Sequence, residues 1–549
     1  MFNKSPLLTV LLLSASIVLS AQDSVTIDQI VAAEKMYDLD FTPAKRDSIL
    51  SGAYDNLHFY RYVHQHPLAN EVPLPLWFDP LLPGRKAPTK QIPLDWKIPE
   101  NQPMPKDRND LAFYSIAQLA SLVKSKKISS VELTKFFIER LKKFAPQLHC
   151  LVELTEEIAL ERATRADANL ARGIYKSPLQ GIPYGLKDLF AATGTHTTWG
   201  TPPYKSQVID ENSFVEQQLE KAGAVLVAKL SLGELAMDDV WFGGLTRNPW
   251  NLDRGSGGSS AGSTAATVAG LVPFAIGTET FGSIVDPSMR CGATGLRPTF
   301  GSISRTGAMA LCWSSDKIGP ICRSASDAAI VFAYIHGADD VDRSSRNIPF
   351  NYSENFDITK LRVAYVKNYI DTLPEGAPEK KAIATLQKLG VRVSSFEFPH
   401  NLHADALLGL IIGAESAAAF DELTRTNLDD QMVQQNKDRW PNSFRTARFV
   451  PAVEYINACR MRWLIMEKMD SVFSAYDIVI APPETGEQLG ATNLSGNPSI
   501  TLPVGFSKEG MPVCLSFIGK LYDEGRLVAF AKRFQDATSY HLQHPPLFR

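Results

Sequence analysis

Short apolar runs alternate with segments of helical periodicity from about Asn109 to the end of the chain. Apolar residues recur every three to four positions in residues 129–141 and 155–172, and each stretch predicts a helix. The first helix opens on the capping-box pair Ser129 and Glu132. This alternation of runs and helices predicts an α/β fold with a central sheet sandwiched by helices. The runs that predict its buried strands are Ile182–Leu186, Ala224–Ala228, Val272–Ile276 and Ile478–Ala481.

Residues 22–108 lack this alternation and are interpreted as an N-terminal accessory region. The Thr-Pro pair at 42–43 predicts the start of a helix. The segment 65–108, here called the strap, contains ten prolines, which exclude a regular helix or a central strand. Because apolar residues such as Phe78 are interleaved with these prolines, we expect the strap to pack on the main domain, residues 109–549.

Residues 1–21 are typical of a secretory signal peptide. Lys4 precedes an apolar run from Leu7 to Leu19, which is followed by the small residues Ser20 and Ala21. The run is shorter than the ~20 apolar residues that span a bilayer, and no later run is longer. We therefore expect an exported protein, periplasmic or extracellular, whose mature chain has no transmembrane segment.

Composition narrows the class of partner. The 56 basic and 59 acidic residues give a net charge of -3 and are interspersed, so no charged block suits nucleic acid. The six cysteines are too sparse for a disulfide framework and form no metal-binding motif, so we expect mostly buried thiols, no metal and no cofactor. The expected partner is a small molecule. The oligomeric state stays open, with a homodimer among the options.

The most distinctive stretch is the Gly/Ser-rich segment 254–299. One interpretation is a phosphate cradle, because glycine-rich turns before helices bind anions, but neither GxxxxGK[ST] nor GxGxxG is present. A second is a nucleophile elbow, since Gly258, Ser260 and Gly262 satisfy GxSxG. That match arises easily in a run so rich in Gly and Ser, and no downstream histidine lies in an informative context.

A third interpretation rests on seven separated motifs that occur in order. Through them the chain resembles the amidase signature family over about 109–538. The resemblance implies that family's fold, a central mixed β-sheet sandwiched by α-helices, here with an N-terminal helical and Pro-rich extension. The motifs are GIPYGLKDLF at 181–190, TRNPWN at 246–251, GSGGSSAGS at 255–263, GTETFGSIVDP at 277–287, CGATGLRPTFG at 291–301, DKIGP at 316–320 and NLSGNPSITLPVGF at 493–506.

The resemblance also implies a Ser-Ser-Lys triad. It places the catalytic lysine at Lys187, the bridging serine at Ser259 and the nucleophile at Ser283. In this relay, neutral Lys187 accepts a proton from Ser259, which accepts one from Ser283; a lysine becomes neutral when burial removes its solvation. The implied oxyanion hole consists of the backbone amides of Thr280, Phe281, Gly282 and Ser283.

Two departures from the family pattern flank the nucleophile. Phe281 stands where a glycine is common, and we expect its ring to line the acyl pocket. Val285 stands where an arginine is common, so we expect Asp286 to pair instead with Arg290 or Arg297. The candidate pocket residues are Met237, Trp241, Phe281 and Trp313.

The resemblance implies hydrolysis of a carboxylic amide, a linear C–N bond other than a peptide bond, through an acyl-serine intermediate. One alternative is the glutamine amidase subunit of a tRNA-dependent amidotransferase, which the export signal and the lack of a basic run oppose. Another is a non-catalytic binding protein that retains the fold. Retention of all three triad residues opposes this second alternative.

Overall fold

The structure, a computed structural model, describes residues 25–66, 68–72 and 76–549. The predicted signal peptide lies outside this part of the chain. Two compact units follow one another, and the division falls between Leu68 and Ala69. Across the described ranges, no helix combines the length and apolar character needed to cross a bilayer.

The smaller unit consists of two helices, α1 (Ile27–Met36) and α2 (Pro43–His64). Helix α1 begins with a capping box at Thr26, and α2 begins at the proline of the predicted Thr-Pro start. A 2.7 Å ion pair between Arg46 and Glu34 joins α1 to the start of α2. The unit is therefore held by a polar contact between its two helices.

The larger unit is built on a mixed β-sheet. Its strands are β1 (Leu151–Leu154), β2 (Pro183–Lys187), β3 (Val225–Leu230), β4 (Val240–Trp241), β5 (Gly244–Leu245), β6 (Arg247–Asn248), β7 (Asn251–Gly255), β8 (Ala275–Glu279), β9 (Thr294–Arg297), β10 (Lys317–Cys322), β11 (Val363–Val366), β12 (Val393–Phe396), β13 (Ile478–Ala481), β14 (Ser499–Phe506) and β15 (Pro512–Gly519). Eleven of them form one sheet in the order β1-β3-β2-β8-β10-β9-β14-β15-β13-β11-β12. Strands β3-β2-β8 and β13-β11-β12 are parallel, and the remaining pairs are antiparallel.

Helices surround this sheet. Every residue of β2, β3, β9, β10 and β13 is buried, as expected where helices cover both faces. The helices are α3 (Ile116–Lys124), α4 (Ser130–Leu148), α5 (Glu156–Ala171), α6 (Phe214–Ala222), α7 (Ala261–Val268), α8 (Val285–Cys291), α9 (Ala325–Ile335), α10 (Lys367–Ile370), α11 (Pro378–Lys388), α12 (Ala404–Ala419), α13 (Asp421–Arg425), α14 (Trp440–Ala447), α15 (Ala452–Ala475), α16 (Gln488–Ser495) and α17 (Glu524–Thr538). This arrangement confirms the predicted α/β fold.

The strap packs on the larger unit through aromatic side chains. The Phe78 ring lies 5.1 Å from that of Phe300, and the Arg462 guanidinium sits 3.4 Å above the Phe78 centroid. Farther along, Trp96 stacks on Tyr352 with centroids 5.8 Å apart. Its described residues from 76 to 107 form neither helix nor strand, so these contacts are what orders the segment.

Two side-chain amides fasten the strap to backbone groups of the larger unit; we call them the amide clamps. Asn70 donates from Nδ2 to the Ala310 carbonyl at 2.9 Å and accepts from the Ala310 amide at 2.8 Å. Gln91 does the same with Phe350, at 2.7 and 2.9 Å. Each clamp satisfies both backbone polar groups of one residue, as a neighbouring strand would.

Candidate active site

The sheet brings the proposed lysine next to the Gly/Ser segment. Strands β2 and β8 are parallel neighbours, so their carboxyl ends meet at one edge of the sheet. Lys187 is the last residue of β2, and Thr278 lies near the end of β8. Helix α7 starts just after Ser259 and Ser260 and is tied to β8 by a 3.0 Å hydrogen bond from Ser263 to the Ile276 carbonyl.

Lys187 is fully buried among hydroxyl groups. Its Nζ lies 2.8 Å from Ser259 Oγ, 3.0 Å from Ser260 Oγ and 2.9 Å from Thr278 Oγ1. Among the described residues, no carboxylate hydrogen-bonds to it, whereas the equally buried Lys229 forms a 2.9 Å ion pair with a neighbouring aspartate. Burial lowers the pKa of Lys187 well below its usual range, although more distant carboxylates act in the opposite direction. The site therefore favours an uncharged amine.

The two adjacent serines have different hydrogen-bonding states. Ser260 Oγ donates to the Thr278 carbonyl at 3.0 Å and accepts from the Thr278 amide at 3.1 Å. Its single proton is thereby used, so it meets Lys187 Nζ only as an acceptor. Ser259 has no such second commitment among the described residues. The geometry therefore singles out Ser259 as the hydroxyl that can pass a proton to Lys187.

Backbone hydrogen bonds hold Ser259 beside the predicted nucleophile. The Gly258–Ser259 peptide bond is cis. The Ser260 amide donates to the Ser283 carbonyl at 3.1 Å, and the Gly258 amide donates to Asp286 Oδ2 at 2.8 Å. Ser283 keeps 8% of its surface exposed while Lys187 and Ser259 keep none. Of the three residues, Ser283 is thus the one a substrate can reach.

The turn that carries Ser283 presents unpaired backbone amides. Within the described ranges, no acceptor pairs with the N–H groups of Phe281, Gly282 or Ser283. Gly282 has a φ of 88°, a left-handed conformation that favours glycine. Buried amides are nearly always hydrogen-bonded in folded proteins. These three groups are therefore suited to bind an anionic oxygen.

A buried ion pair supports this turn from behind. Glu279 accepts hydrogen bonds from the amides of Ile284 at 2.9 Å and Val285 at 3.0 Å, and its other oxygen lies 2.8 Å from Arg297. Burial opposes ionisation, but Arg297 lowers the pKa of Glu279 to about 2. Of the two partners predicted for Asp286, the structure pairs Arg290 with it and gives Arg297 to Glu279.

A cavity of about 320 Å³ reaches the site from outside. Thr278 and Thr280 form its inner end, and Leu189, Met309 and Trp313 contribute to its apolar wall. Thr280 is held by a 2.7 Å hydrogen bond to the half-buried Asp316. The volume lies at the lower end of the range for small-molecule pockets.

Only one of the four candidate pocket residues lines this cavity, namely Trp313. Trp241 is buried and donates to the His149 carbonyl at 3.0 Å. Met237 packs against the main core, and Phe281 packs against the apolar cluster under α12 and α15. The expected position of the Phe281 ring in the acyl pocket is therefore not observed for this cavity, because the ring turns toward that cluster.

Several polar residues of the site were not assigned by the sequence analysis. Thr278 contacts Lys187, Glu279 braces the nucleophile turn and Asp316 holds Thr280. All three lie inside the motifs GTETFGSIVDP and DKIGP, which supplied a signal without a role. All six cysteines are free, five of them buried. No cluster of potential metal ligands occurs among the described residues.

Comparisons with known proteins agree with the fold and the motifs. A sequence model of the family described as Amidase matches residues 132–528. The A chain of the glutamyl-tRNA(Gln) amidotransferase of Geobacillus kaustophilus is 34% identical over 481 residues, which cover 79% of this chain and 99% of the relative. The native peptide amidase of Stenotrophomonas maltophilia superposes with a TM-score of 0.73 at 27% identity, over 80% of this chain and 99% of that chain. The corresponding amidotransferase component of Thermotoga maritima gives a TM-score of 0.67 at 26% identity, over 79% and 98%. The chain therefore belongs to the amidase signature family, whose enzymes act on amide C–N bonds.

Proposed function

We propose that this protein hydrolyses a linear carboxylic amide through a covalent acyl-enzyme at Ser283. The observation that carries the proposal is the buried Lys187, which faces three hydroxyls and no ion-pair partner in the described chain. A lysine in that setting is a base at neutral pH. A merely structural lysine would be expected to have an acidic partner, as Lys229 has.

Acylation begins with proton transfer along the serine pair. A neutral amine has two N–H groups and one lone pair. Since Ser260 and Thr278 accept from Nζ, the lone pair is left for the Ser259 proton. As Ser259 loses its proton to Lys187, it takes one from Ser283, whose oxygen forms a bond to the amide carbonyl carbon. The carbonyl π electrons move to oxygen and give a tetrahedral oxyanion.

The unpaired amides of residues 281–283 are placed to stabilise that oxyanion. Loss of one such donor typically costs about 3–4 kcal/mol of transition-state stabilisation. Collapse of the intermediate breaks the C–N bond, and the proton held by Lys187 returns through Ser259 to the departing nitrogen. Water then repeats the sequence: it loses a proton to the same relay, attacks the acyl-serine and restores the Ser283 hydroxyl.

The cavity wall indicates the kind of amide that fits. Leu189, Met309 and Trp313 offer an apolar surface beside the threonines at the inner end. Apolar area buried by a ligand contributes roughly 25 cal/mol per Å². We therefore propose a small or medium amide with an apolar or aromatic part. Esters of the same shape should also be cleaved, because an alkoxide leaves more easily than an amine.

The alternative function is that of the Geobacillus relative, a component of a glutamyl-tRNA(Gln) amidotransferase. Glutamine has an α-carboxylate, which requires a cation at its binding site. The Arg305 guanidinium in the cavity wall is already bidentate to Asp342, at 2.8 and 3.0 Å. Release of ammonia from glutamine, or a tightly bound partner protein, would favour this alternative over the amidase.

Export forms part of the proposal. It is supported by Lys4 and the apolar run from Leu7 to Leu19. N-terminal sequencing of the protein from its native host should find a mature chain that begins near Gln22. Recovery of the intact N terminus from the cytoplasmic fraction would contradict export without affecting the amidase proposal.

Labelling with a fluorophosphonate probe tests the nucleophile. Folded wild type should form an adduct at Ser283, whereas urea-unfolded protein and Ser283→Ala should not. The exposed Ser206 supplies the matched control, and Ser206→Ala should label as wild type does. Absence of an adduct from folded wild type, together with no turnover of a panel of primary, aryl and peptide amides, would overturn the proposal. It would instead support a non-catalytic binding protein.

A further inference from the structure

A tight turn of the strap forms part of the wall of the substrate cavity. The turn spans Ala69–Val72 and is closed by a 3.1 Å hydrogen bond from the Val72 amide to the Ala69 carbonyl. Its two central residues, Asn70 and Glu71, both line the cavity whose inner end is formed by the threonines next to Lys187. The motifs shared with the family begin far downstream of this turn. The turn is therefore an addition of this chain to the pocket.

The first amide clamp joins this turn to the catalytic framework. Asn70 binds both backbone groups of Ala310. The preceding residue, Met309, donates to the Leu189 carbonyl at 3.0 Å, and Leu189 lies two residues after Lys187. Three short links thus connect the turn to the lysine strand. The position of the turn relative to the site is fixed by hydrogen bonds on both sides.

The charges of the cavity wall are unevenly satisfied. Arg305 is paired with Asp342, and Lys317 donates to the Ser315 carbonyl. The carboxylates of Glu71 and Glu211 are exposed, and neither has an ion-pair partner among the described residues. The cationic groups of the wall are consumed by internal partners, whereas two anionic groups remain available to a ligand. A cationic group is attracted to such a wall, and a carboxylate is repelled.

We propose that the Ala69–Val72 turn is a specificity element that selects amides with an apolar body and a protonated amine at the far end. Asn70 positions the turn, and Glu71 with Glu211 recognises the amine. Substrates that end in a carboxylate are disfavoured. The inference rests on the proposed function in so far as the cavity is where the amide binds.

Calorimetric titration with three ligands of similar size and shape tests the charge preference without requiring turnover. The ligands are phenethylamine, phenethyl alcohol and hydrocinnamate. Wild type should bind the amine about fivefold more tightly than the carboxylate, as expected for charges in a partly solvated site. Glu71→Lys should invert that order, and Glu71→Gln should fall between. Asn70→Ala should reduce the preference because the turn loses its clamp.

The control keeps the change of net charge and moves it away from the cavity. Glu100 is an exposed strap residue outside the cavity wall, and Glu100→Lys should retain the wild-type order. Equal ranking of the three ligands in wild type and Glu71→Lys would overturn the inference. Hydrolysis of a neutral amide such as benzamide is measured in parallel. If benzamide is cleaved and the ranking does not shift, this inference alone fails; if the ranking shifts and no amide is cleaved, the proposed function alone fails.

Discussion

Replacing Lys187 with methionine isolates the free-energy cost of burying an ionisable amine. Burial lowers the pKa of Lys187 well below the usual value of 10.5. Between the lowered pKa and 10.5, the unfolded chain binds a proton that the folded protein does not. The free energy of unfolding of wild type therefore rises with pH across that window, by up to about 1.4 kcal/mol per pH unit. Below the lowered pKa, both states hold the proton and the slope vanishes.

The measurement is urea unfolding of wild type and Lys187→Met by circular dichroism, from neutral to alkaline pH. The variant also loses three hydrogen bonds, but this loss alters the offset between the two curves and leaves the slope unchanged. Lys135 is an exposed lysine of α4, so Lys135→Met reports the effect of removing one surface charge. We expect the difference between wild type and Lys187→Met to grow with pH and the control difference to grow much less.

A difference that stays constant over this range, or that matches the control, would refute the inference that Lys187 is uncharged in the fold. Activity provides an independent readout of the same proton. We expect kcat/KM to fall on the acid side, as Lys187 gains its proton. Lys187→Arg keeps a cation that does not deprotonate, so it should lose about 100- to 10,000-fold of activity at every pH.

The two serines and the buried ion pair give further predictions. Ser259→Ala should lower kcat/KM by at least about 100-fold, whereas Ser260→Ala, which removes an acceptor only, should cost about tenfold or less; equal losses in steady-state assays would contradict the assigned roles. Arg297→Met leaves Glu279 buried without its cation and should destabilise the fold by about 3–5 kcal/mol in urea unfolding. In wild type the stability contributed by ionised Glu279 is present above pH 4.5 and is lost as the pH falls toward about 2. An acid limb that is unchanged in Arg297→Met would contradict that assignment.

Local sequence patterns predicted the elements that are apolar and short in range. The capping box at Ser129 opens α4, and the runs at 182–186, 224–228 and 478–481 coincide with β2, β3 and β13 within one or two residues. The run at 272–276 predicted β8 too early, because Val272 is buried in the turn that follows α7 rather than in the strand. Strand β9 has no apolar pattern at all, since its Arg297 is buried through an ion pair made by tertiary contact.

The candidate site shows the same division between local and tertiary information. The motifs indicated Lys187 and Ser259, and the fold brings them within 2.8 Å because β2 and β8 end side by side. The choice among aromatic pocket residues depended on which loops cross the cavity. Trp313 lies in a loop that does, whereas Trp241 is held by the His149 carbonyl elsewhere. Nothing local distinguishes these two tryptophans.

The amide clamps have a consequence for how this family can diversify. Each clamp recognises the main chain of Ala310 or Phe350 and ignores the side chain there. Being neutral, a clamp keeps its attachment across wide changes of salt and acidity. Relatives could therefore replace the residues at these positions, or exchange the whole turn, without losing the fastening. A detachable wall of this kind allows new substrate ranges to evolve while the chemistry beneath it stays unchanged.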